Sequence, residues 1–171
     1  MPRLGRETRR SVSDHVDTVA GMTDPIIELT DQPEDADVAV VESGLDEFNE
    51  QAAGFLDRRS LAVFVKDPSS GRVLGGLTGR TSLGLLFVDY FYLPPHLRGA
   101  GLGSELLRAA EDEAVRRGCR TGVLFTINFQ APEFYQRNGW RVFGEVPSGG
   151  SSGISRIYLT KDLVTTRSGA R

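Results

Sequence analysis

The chain turns from strand to helix within the stretch Leu93-Pro-Pro-His-Leu-Arg-Gly-Ala-Gly-Leu-Gly-Ser-Glu-Leu-Leu107. An apolar run from Leu85 to Leu93 stops at two prolines, which cannot donate to a sheet ladder. The order is therefore strand, glycine-rich loop and helix. Apolar residues then recur at the spacing of one helix face, namely Leu102, Leu106, Leu107, Ala110 and Ala114.

The glycine-rich loop Arg98-Gly-Ala-Gly-Leu-Gly103 has the composition of a phosphate-binding turn. Glycines free backbone N–H groups to converge, and a helix start adds unpaired donors and a positive dipole end. A P-loop would need Gly-Lys-Ser/Thr, and a dinucleotide fingerprint would need a third glycine where Leu106 stands. The loop therefore predicts phosphate binding of another kind, with an ordinary glycine-rich connection as the alternative.

A second block downstream carries the marks of a short helix. Asn128-Phe-Gln-Ala-Pro-Glu-Phe-Tyr-Gln-Arg-Asn-Gly-Trp140 follows a strand-like run at Gly122–Thr126. Pro132 suits the first turn of a helix, and Gly139 suits its left-handed end. Arg-x-x-Gly-x-Gly and Asn-x-x-Ala-x-x-Phe-Tyr-x-x-x-Gly-aromatic, in this order, resemble the acyl-CoA loop and fourth helix of the GNAT-type N-acetyltransferase superfamily. The resemblance extends from Pro25 to Leu163.

The remaining pattern predicts a fold of the α/β class with a mixed, mostly antiparallel central sheet flanked by helices, as in the GNAT fold. We expect a disordered extension over residues 1–22, an acetyltransferase domain over 23–163 and a tail over 164–171. A helical stripe covers residues 38–52 and is bent or divided near Gly44. The predicted strands are Pro25–Thr30, Leu61–Lys66, Val73–Thr78, Leu85–Leu93, Gly122–Thr126, Trp140–Val146 and Ile154–Thr160.

Composition excludes several classes of protein. The chain has 171 residues, 39% of them hydrophobic, and a net charge of −3, without the basic stripe of a nucleic-acid binder. No apolar run reaches the length of a membrane span. The single cysteine excludes an internal disulfide and is compatible with a reducing compartment. We therefore expect a cytoplasmic protein that binds neither nucleic acid nor membrane.

The resemblance implies acetyl-CoA as the cofactor, with its pyrophosphate on the glycine-rich loop and its pantetheine arm along the strand before it. The Leu93 amide would then face the thioester carbonyl. Tyr135 matches the family's usual general acid, because a phenol near the sulfur can protonate the leaving thiolate. Its alternative role is that of a core aromatic beside Phe134. The implied cofactor-binding residues are Phe91, Tyr92, Leu93, Arg98, Gly99, Ala100, Gly101, Leu102, Gly103, Ser104, Asn128 and Tyr135.

The general base has several candidates. Asp89 stands two residues before Phe91, so the alternation of a strand predicts that both side chains share a face. Members of the superfamily often place a carboxylate in this strand, and the alternative is a structural acceptor at a strand edge. Asn128 would orient the cofactor or Tyr135, or simply cap the following helix. The predicted acceptor-binding residues are Glu47, Phe48, Glu50 and Asp89, of which Glu47 and Glu50 are also weaker base candidates.

Other reactive side chains receive structural interpretations. Cys119 follows a helix end at the start of a strand, where a buried thiol is expected in preference to an acetyl carrier. His96 precedes Arg98 in the loop and is predicted to be solvent-exposed. No His, Cys, Asp or Glu cluster has metal-ligand spacing, so we predict no metal.

The distribution of charged residues is the only sequence feature that suggests which kind of acceptor the protein uses. From Thr23 to Asp57 there are eleven acidic residues and no Lys or Arg. A surface of one sign attracts ligands of the opposite sign, although a solvated helix face gives the same pattern. We predict transfer to a primary amine of a cationic small molecule, by direct attack in a ternary complex. The alternatives are a non-catalytic acyl-CoA sensor and acetylation of a peptide or protein amine; a homodimer is left open.

Overall fold

The computed structural model describes residues 25–150 and 153–164. The predicted extension over 1–22, and residues 165–171 of the predicted tail, lie outside the described residues. The described residues fall into two units, one ending at Val40 and the other beginning at Val41, with the boundary inside the first helix, α1 (Asp35–Ala53). Within the described ranges, every helix is too short or too polar to cross a membrane.

The described part of the first unit begins with an irregular segment. Residues 25–34 contain no strand, so the prediction of a strand at Pro25–Thr30 is wrong. An apolar run forms a strand only where a neighbour completes its backbone hydrogen bonds, which a sequence pattern does not reveal. α1 begins at Asp35, three residues before the predicted helical stripe. The N–H groups of Asp37 and Val38 donate to the Glu34 carbonyl at 3.0 and 3.1 Å.

α1 is a single helix that passes through Gly44 without a break, so the one-helix form of the prediction is the correct one. It is followed by Gly54, whose φ of 79° suits the left-handed end of a helix. Arg58 then pairs with two carboxylates of the helix, Glu42 at 3.4 Å and Asp46 at 3.3 Å.

The second unit contains a mixed sheet. Its strands are β1 (Arg59–Lys66), β2 (Val73–Ser82), β3 (Leu85–Tyr92), β4 (Thr121–Ile127), β5 (Arg141–Pro147) and β6 (Ser155–Asp162). The strand order is β1-β2-β3-β4-β6-β5, with β3 and β4 parallel and the other neighbours antiparallel. The predicted fold class is confirmed, and each strand predicted beyond residue 60 is present.

Two helices pack into one apolar core with this sheet. α2 (Leu102–Arg116) buries Leu106, Leu107, Ala110 and Ala114, the stripe that its spacing predicted. α3 (Pro132–Arg137) contributes Phe134 and Tyr135 to the edge of the same core. Directly after α3, Trp140 packs on Gly122 so closely that a Cβ there would lie 2.6 Å from the indole. The glycine therefore lets the chain leaving α3 lie against β4.

A bulge in β3 changes which side chains face the core. Val88 and Tyr90 pair with consecutive residues of β2, so Asp89 is an extra residue without a partner. One inserted residue reverses the alternation, so Phe91 returns to the face of Val88 while Asp89 lies on the other face. The prediction that Asp89 shares a face with Phe91 is therefore wrong.

Candidate active site

The central strands separate halfway along their length. β3 and β4 pair from Leu85 opposite Thr121 to Val88 opposite Leu124, and no pairing between them continues beyond that point. A cleft of about 1000 Å³ lies where they part. Its walls are the second halves of β3 and β4, the glycine-rich loop and α3. Backbone groups of β3 that would have paired with β4 are thereby left available to an added extended chain.

The glycine-rich loop presents a row of backbone donors at this cleft. Gly99 and Gly101 both have φ of 88°, a conformation that strains residues with a side chain. Arg98 and Ser104 donate their N–H groups to carbonyls within the loop, but the five consecutive N–H groups of Gly99–Gly103 have no such partner in the described ranges. Free donors at the start of a fifteen-residue helix form an anion site suited to pyrophosphate.

Two side-chain contacts hold this loop in place. The Arg98 Nε donates to the Leu93 carbonyl at 2.7 Å, which ties the guanidinium to the end of β3. At Gly103, a Cβ would lie 3.2 Å from the Phe134 ring, so this glycine allows α2 to approach α3. Nothing lies within 4 Å of the Cβ positions of Gly99 and Gly101, which face open space. Gly99 and Gly101 thus permit a positive φ, whereas Gly103 permits close packing of two helices.

The structure brings most of the predicted site residues together around the cleft. Ala100 and Leu102 belong to the loop without lining the cleft, and Asn128 and the three α1 residues Glu47, Phe48 and Glu50 are not among its lining. The roles of all these residues stay predictions. The predicted site residues that do line the cleft are Asp89, Phe91, Tyr92, Leu93, Arg98, Gly99, Gly101, Gly103, Ser104 and Tyr135.

Tyr135 belongs both to the edge of the core and to the cleft wall. Its ring meets those of Phe134, Trp140 and Phe91 edge to face, at centroid distances of 5.1, 6.4 and 6.5 Å. Burial raises the pKa of Tyr135 to about 12, because an apolar environment disfavours the phenolate. Three aromatic rings therefore surround the Tyr135 ring, and its phenol keeps the proton that a general acid requires.

Asp89 makes a close ion pair at the bulge. Its Oδ1 lies 2.5 Å from Arg80 Nη1, and the Arg80 guanidinium also stacks 4.7 Å from the Phe87 ring centroid. The carboxylate therefore has a structural partner, as the alternative interpretation expected, while Asp89 still lines the cleft. Arg80 therefore fixes the position of the Asp89 carboxylate, and its role as a general base stays a prediction.

The side chain of Asn128 does not cap α3. The residue at the N-cap is Ala131, and no side chain makes a capping hydrogen bond there. The Asn128 Nδ2 instead donates to the Gly153 carbonyl at 2.8 Å, joining the end of β4 to the segment before β6. The capping alternative is wrong, because the chain makes an intervening turn before α3 begins.

The remaining candidates have the structural settings that were predicted. Cys119 is 1% exposed, and burial raises the pKa of its thiol, which suppresses the reactive thiolate. His96 lies exposed in a short turn of 3₁₀ helix, Pro95–Leu97, outside the lining of the cleft.

Sequence reasoning missed an ion pair near α3. Glu111 of α2 and Lys161 of β6 meet at 2.6 Å, although fifty residues separate them in the chain. The one local signal is that Glu111 lies four residues after Leu107 and three before Ala114, beside the buried stripe. No pattern in β6 identified Lys161 as its partner.

Comparison with known proteins is consistent with this geometry. The family profile described as "Acetyltransferase (GNAT) family" matches residues 27–140. The chain belongs to the GNAT family. The predicted resemblance is therefore confirmed, and the protein is an N-acetyltransferase. The non-catalytic sensor receives no support from these findings.

Three relatives show how far the likeness of this GNAT protein extends. An acetyltransferase of Agrobacterium fabrum is 35% identical over 114 residues, which cover 67% of this chain and 82% of that protein. Blasticidin-S acetyltransferase of Streptomyces morookaense is 40% identical over 94 residues, 54% of this chain and 68% of the other. A crystal structure from Agrobacterium tumefaciens has a TM-score of 0.73 at 31% identity and covers 81% of this chain and 99% of its own.

Proposed function

We propose that this GNAT protein transfers an acetyl group from acetyl-CoA directly to a primary amine of a cationic small molecule in the cytoplasm. The observation that carries the donor assignment is the row of free N–H groups at Gly99–Gly103 beside a cleft. A pyrophosphate fits those donors, with Arg98 beside them. The separated edge of β3, at Phe91–Leu93, suits the amide groups of pantetheine.

The proposed chemistry needs few protein groups. Acetyl-CoA supplies the acetyl thioester, and the Leu93 N–H is assigned to its carbonyl oxygen. Asp89 accepts a proton from the amine nitrogen, directly or through water, as that nitrogen forms its bond to the carbonyl carbon. The Tyr135 Oη gives its proton to the sulfur as the C–S bond breaks. Direct attack is favoured over an acetyl-enzyme because Cys119, the single cysteine, is buried.

A cationic small molecule is proposed as acceptor on two grounds. One relative is a blasticidin-S acetyltransferase, which acts on a small molecule. The acidic residues of α1 supply a negative field, although Glu47 and Glu50 lie outside the cleft lining and Phe48 is 66% exposed. We therefore assign Glu47 and Glu50 to long-range attraction of the acceptor, not to contact with it.

The test is a thiol-release assay with acetyl-CoA and a panel of cationic, neutral and acidic amines, together with an unstructured peptide. We expect cationic small amines to give the highest kcat/KM. That value should fall as salt rises, because steering is screened within about 10 Å at 0.1 M ionic strength. The double variant Glu47→Gln with Glu50→Gln should have a lower kcat/KM at low salt and a weaker salt dependence.

The matched control removes two exposed acidic charges elsewhere, by Glu145→Gln on β5 with Asp112→Asn on α2. It should change the salt dependence less than the α1 variant does. If kcat/KM does not depend on salt and the α1 substitutions have no effect, the acidic residues of α1 only form a solvated face. A best substrate that is a peptide amine would overturn the small-molecule assignment while leaving acetyl-CoA as donor.

The raised pKa of Tyr135 also predicts a pH dependence. The pKa of an unperturbed tyrosine is about 10. Because burial raises the pKa of Tyr135 to about 12, its proton is retained through that range. We expect kcat at saturating substrates to show no decline as pH rises from about 8 to about 10. A decline centred near the ordinary phenol pKa, in an enzyme that remains folded, would contradict the buried acid.

A further inference from the structure

The ion pair of Glu111 and Lys161 lies in a mostly buried setting between α2 and β6. The Lys161 Nζ is 2.6 Å from Glu111 Oε2, and the two side chains are 23% and 12% exposed. Charges held this far from water need good geometry and further hydrogen bonds to offset their lost hydration. Both partners make such bonds, and both bonds join residues that directly follow α3.

Each member of the pair contacts the chain where α3 ends. The Lys161 Nζ also donates to the Asn138 carbonyl at 2.8 Å. The other oxygen of Glu111, Oε1, accepts from the Trp140 indole Nε1 at 2.8 Å. Because the last carbonyls of a helix have no partner within it, the ammonium satisfies a group that α3 leaves free. The pair therefore holds α3 by its carboxyl end.

The same end of the helix contacts Tyr135. The N–H groups of Asn138 and Trp140 donate to the Tyr135 carbonyl at 2.9 and 3.1 Å. The Trp140 ring packs edge-on against the phenol, with 6.4 Å between centroids. α3 has six residues, too few to be stable without outside contacts, so those contacts set its orientation.

We propose that Glu111 and Lys161 are positioning residues for proton transfer by Tyr135. The inference rests on the acid role proposed above. It goes further by extending the catalytic apparatus to the opposite side of α3, through Asn138 and Trp140. Neither charged residue is among those lining the cleft, so their influence on catalysis passes through the orientation of the phenol.

The test is a double-mutant cycle between Lys161→Met and Tyr135→Phe. In the parent enzyme, Lys161→Met should lower kcat roughly 10- to 100-fold, because small misplacements of a reacting group have effects of that size. Acetyl-CoA affinity by calorimetry should not change. In the Tyr135→Phe background, Lys161→Met should have no further effect on kcat, since the phenolic proton that Lys161 helps to position is already absent. Lys161→Arg should restore part of the rate.

A second reporter comes from Trp140, the single tryptophan of the chain. Its fluorescence should change in Glu111→Gln and Lys161→Met, because both alter the group that accepts from the indole. The matched control is Asp162→Asn, which removes the exposed pair of Arg141 and Asp162 at 3.1 Å on β5 and β6. That variant should keep the parent kcat and emission. Circular dichroism checks that every variant is folded.

The outcomes separate this inference from the proposed function. If Tyr135→Phe is slow and Lys161→Met is as fast as the parent, the positioning role is overturned and the acid role stands. If Lys161→Met slows both backgrounds by the same factor, the pair acts on general stability, and the positioning role is again overturned. If Tyr135→Phe itself keeps the parent rate, the acid role fails and this inference fails with it.

Discussion

Tyr135→Phe should lower kcat by roughly 10²- to 10⁴-fold, the range typical for loss of a general acid. The substitution keeps the ring and its contacts with Phe134, Trp140 and Phe91, so the fold should be retained. Acetyl-CoA should still bind, because the loop proposed to receive its phosphates is unchanged. Steady-state thiol release measures the rate, and calorimetry measures acetyl-CoA affinity.

The matched control for this prediction is Tyr90→Phe. Tyr90 also lines the cleft and is 79% exposed, so its removal takes a hydroxyl from the cleft without touching the aromatic cluster. The Tyr90→Phe variant should keep most of the parent kcat. Near-parental kcat in Tyr135→Phe would assign protonation of the thiolate to water or to another group. Inactivity of a folded Cys119→Ala variant would instead contradict direct transfer.

Gly101→Val should abolish acetyl-CoA binding. With φ at 88°, Gly101 adopts a conformation that a β-branched residue avoids, and it stands at the N-cap of α2 among the free N–H groups. Valine should force the backbone to relax, and the five donors would then no longer converge. Calorimetry with acetyl-CoA should detect no binding. Gly103→Val is a poorer test, because it would clash with Phe134 and disturb the packing of α3.

Gly71→Val is the control for backbone strain. Gly71 also has a positive φ, 69°, with open space around its Cβ position, but it lies in the turn between β1 and β2. The Gly71→Val variant should lose stability as Gly101→Val does, but it should still bind acetyl-CoA.

Removal of the Arg98 side chain should weaken acetyl-CoA binding by about 1.5–3 kcal/mol if its guanidinium bonds to phosphate. Removal of the exposed Arg108 side chain of α2 should leave the affinity unchanged. Unchanged affinity in Gly101→Val would overturn the cofactor assignment.

Local chemistry explains why so much of the site could be predicted. The prolines after Leu93 end a strand whatever the rest of the chain does, and glycines at 99 and 101 permit positive φ in any context. The stripe of α2 is a matter of spacing alone, and its core contacts are those expected. Pro132 and Gly139 marked the ends of the short helix that carries Tyr135, and the resemblance to the family singled out its phenol.

Features that depend on pairing between distant segments could not be predicted in the same way. Simple alternation placed Asp89 beside Phe91, but one unpaired residue in β3 moved it to the opposite face. The apolar run at Pro25–Thr30 was predicted as a strand, although the described residues 25–34 contain none. Asn128 was a plausible cap by position, yet its partner is Gly153, twenty-five residues away.

The sequence by itself predicted the strand, glycine-rich loop and helix order, because turns and helix faces follow from neighbouring residues, and the resemblance of its two motifs identified the GNAT family. The tertiary structure alone decided where β3 and β4 part, which face Asp89 occupies and how Glu111 reaches Lys161. These features are set by strand register and by contacts across tens of residues. One inserted residue moves the following side chains to the other face of a sheet, and nothing in the local pattern of β3 marked that insertion.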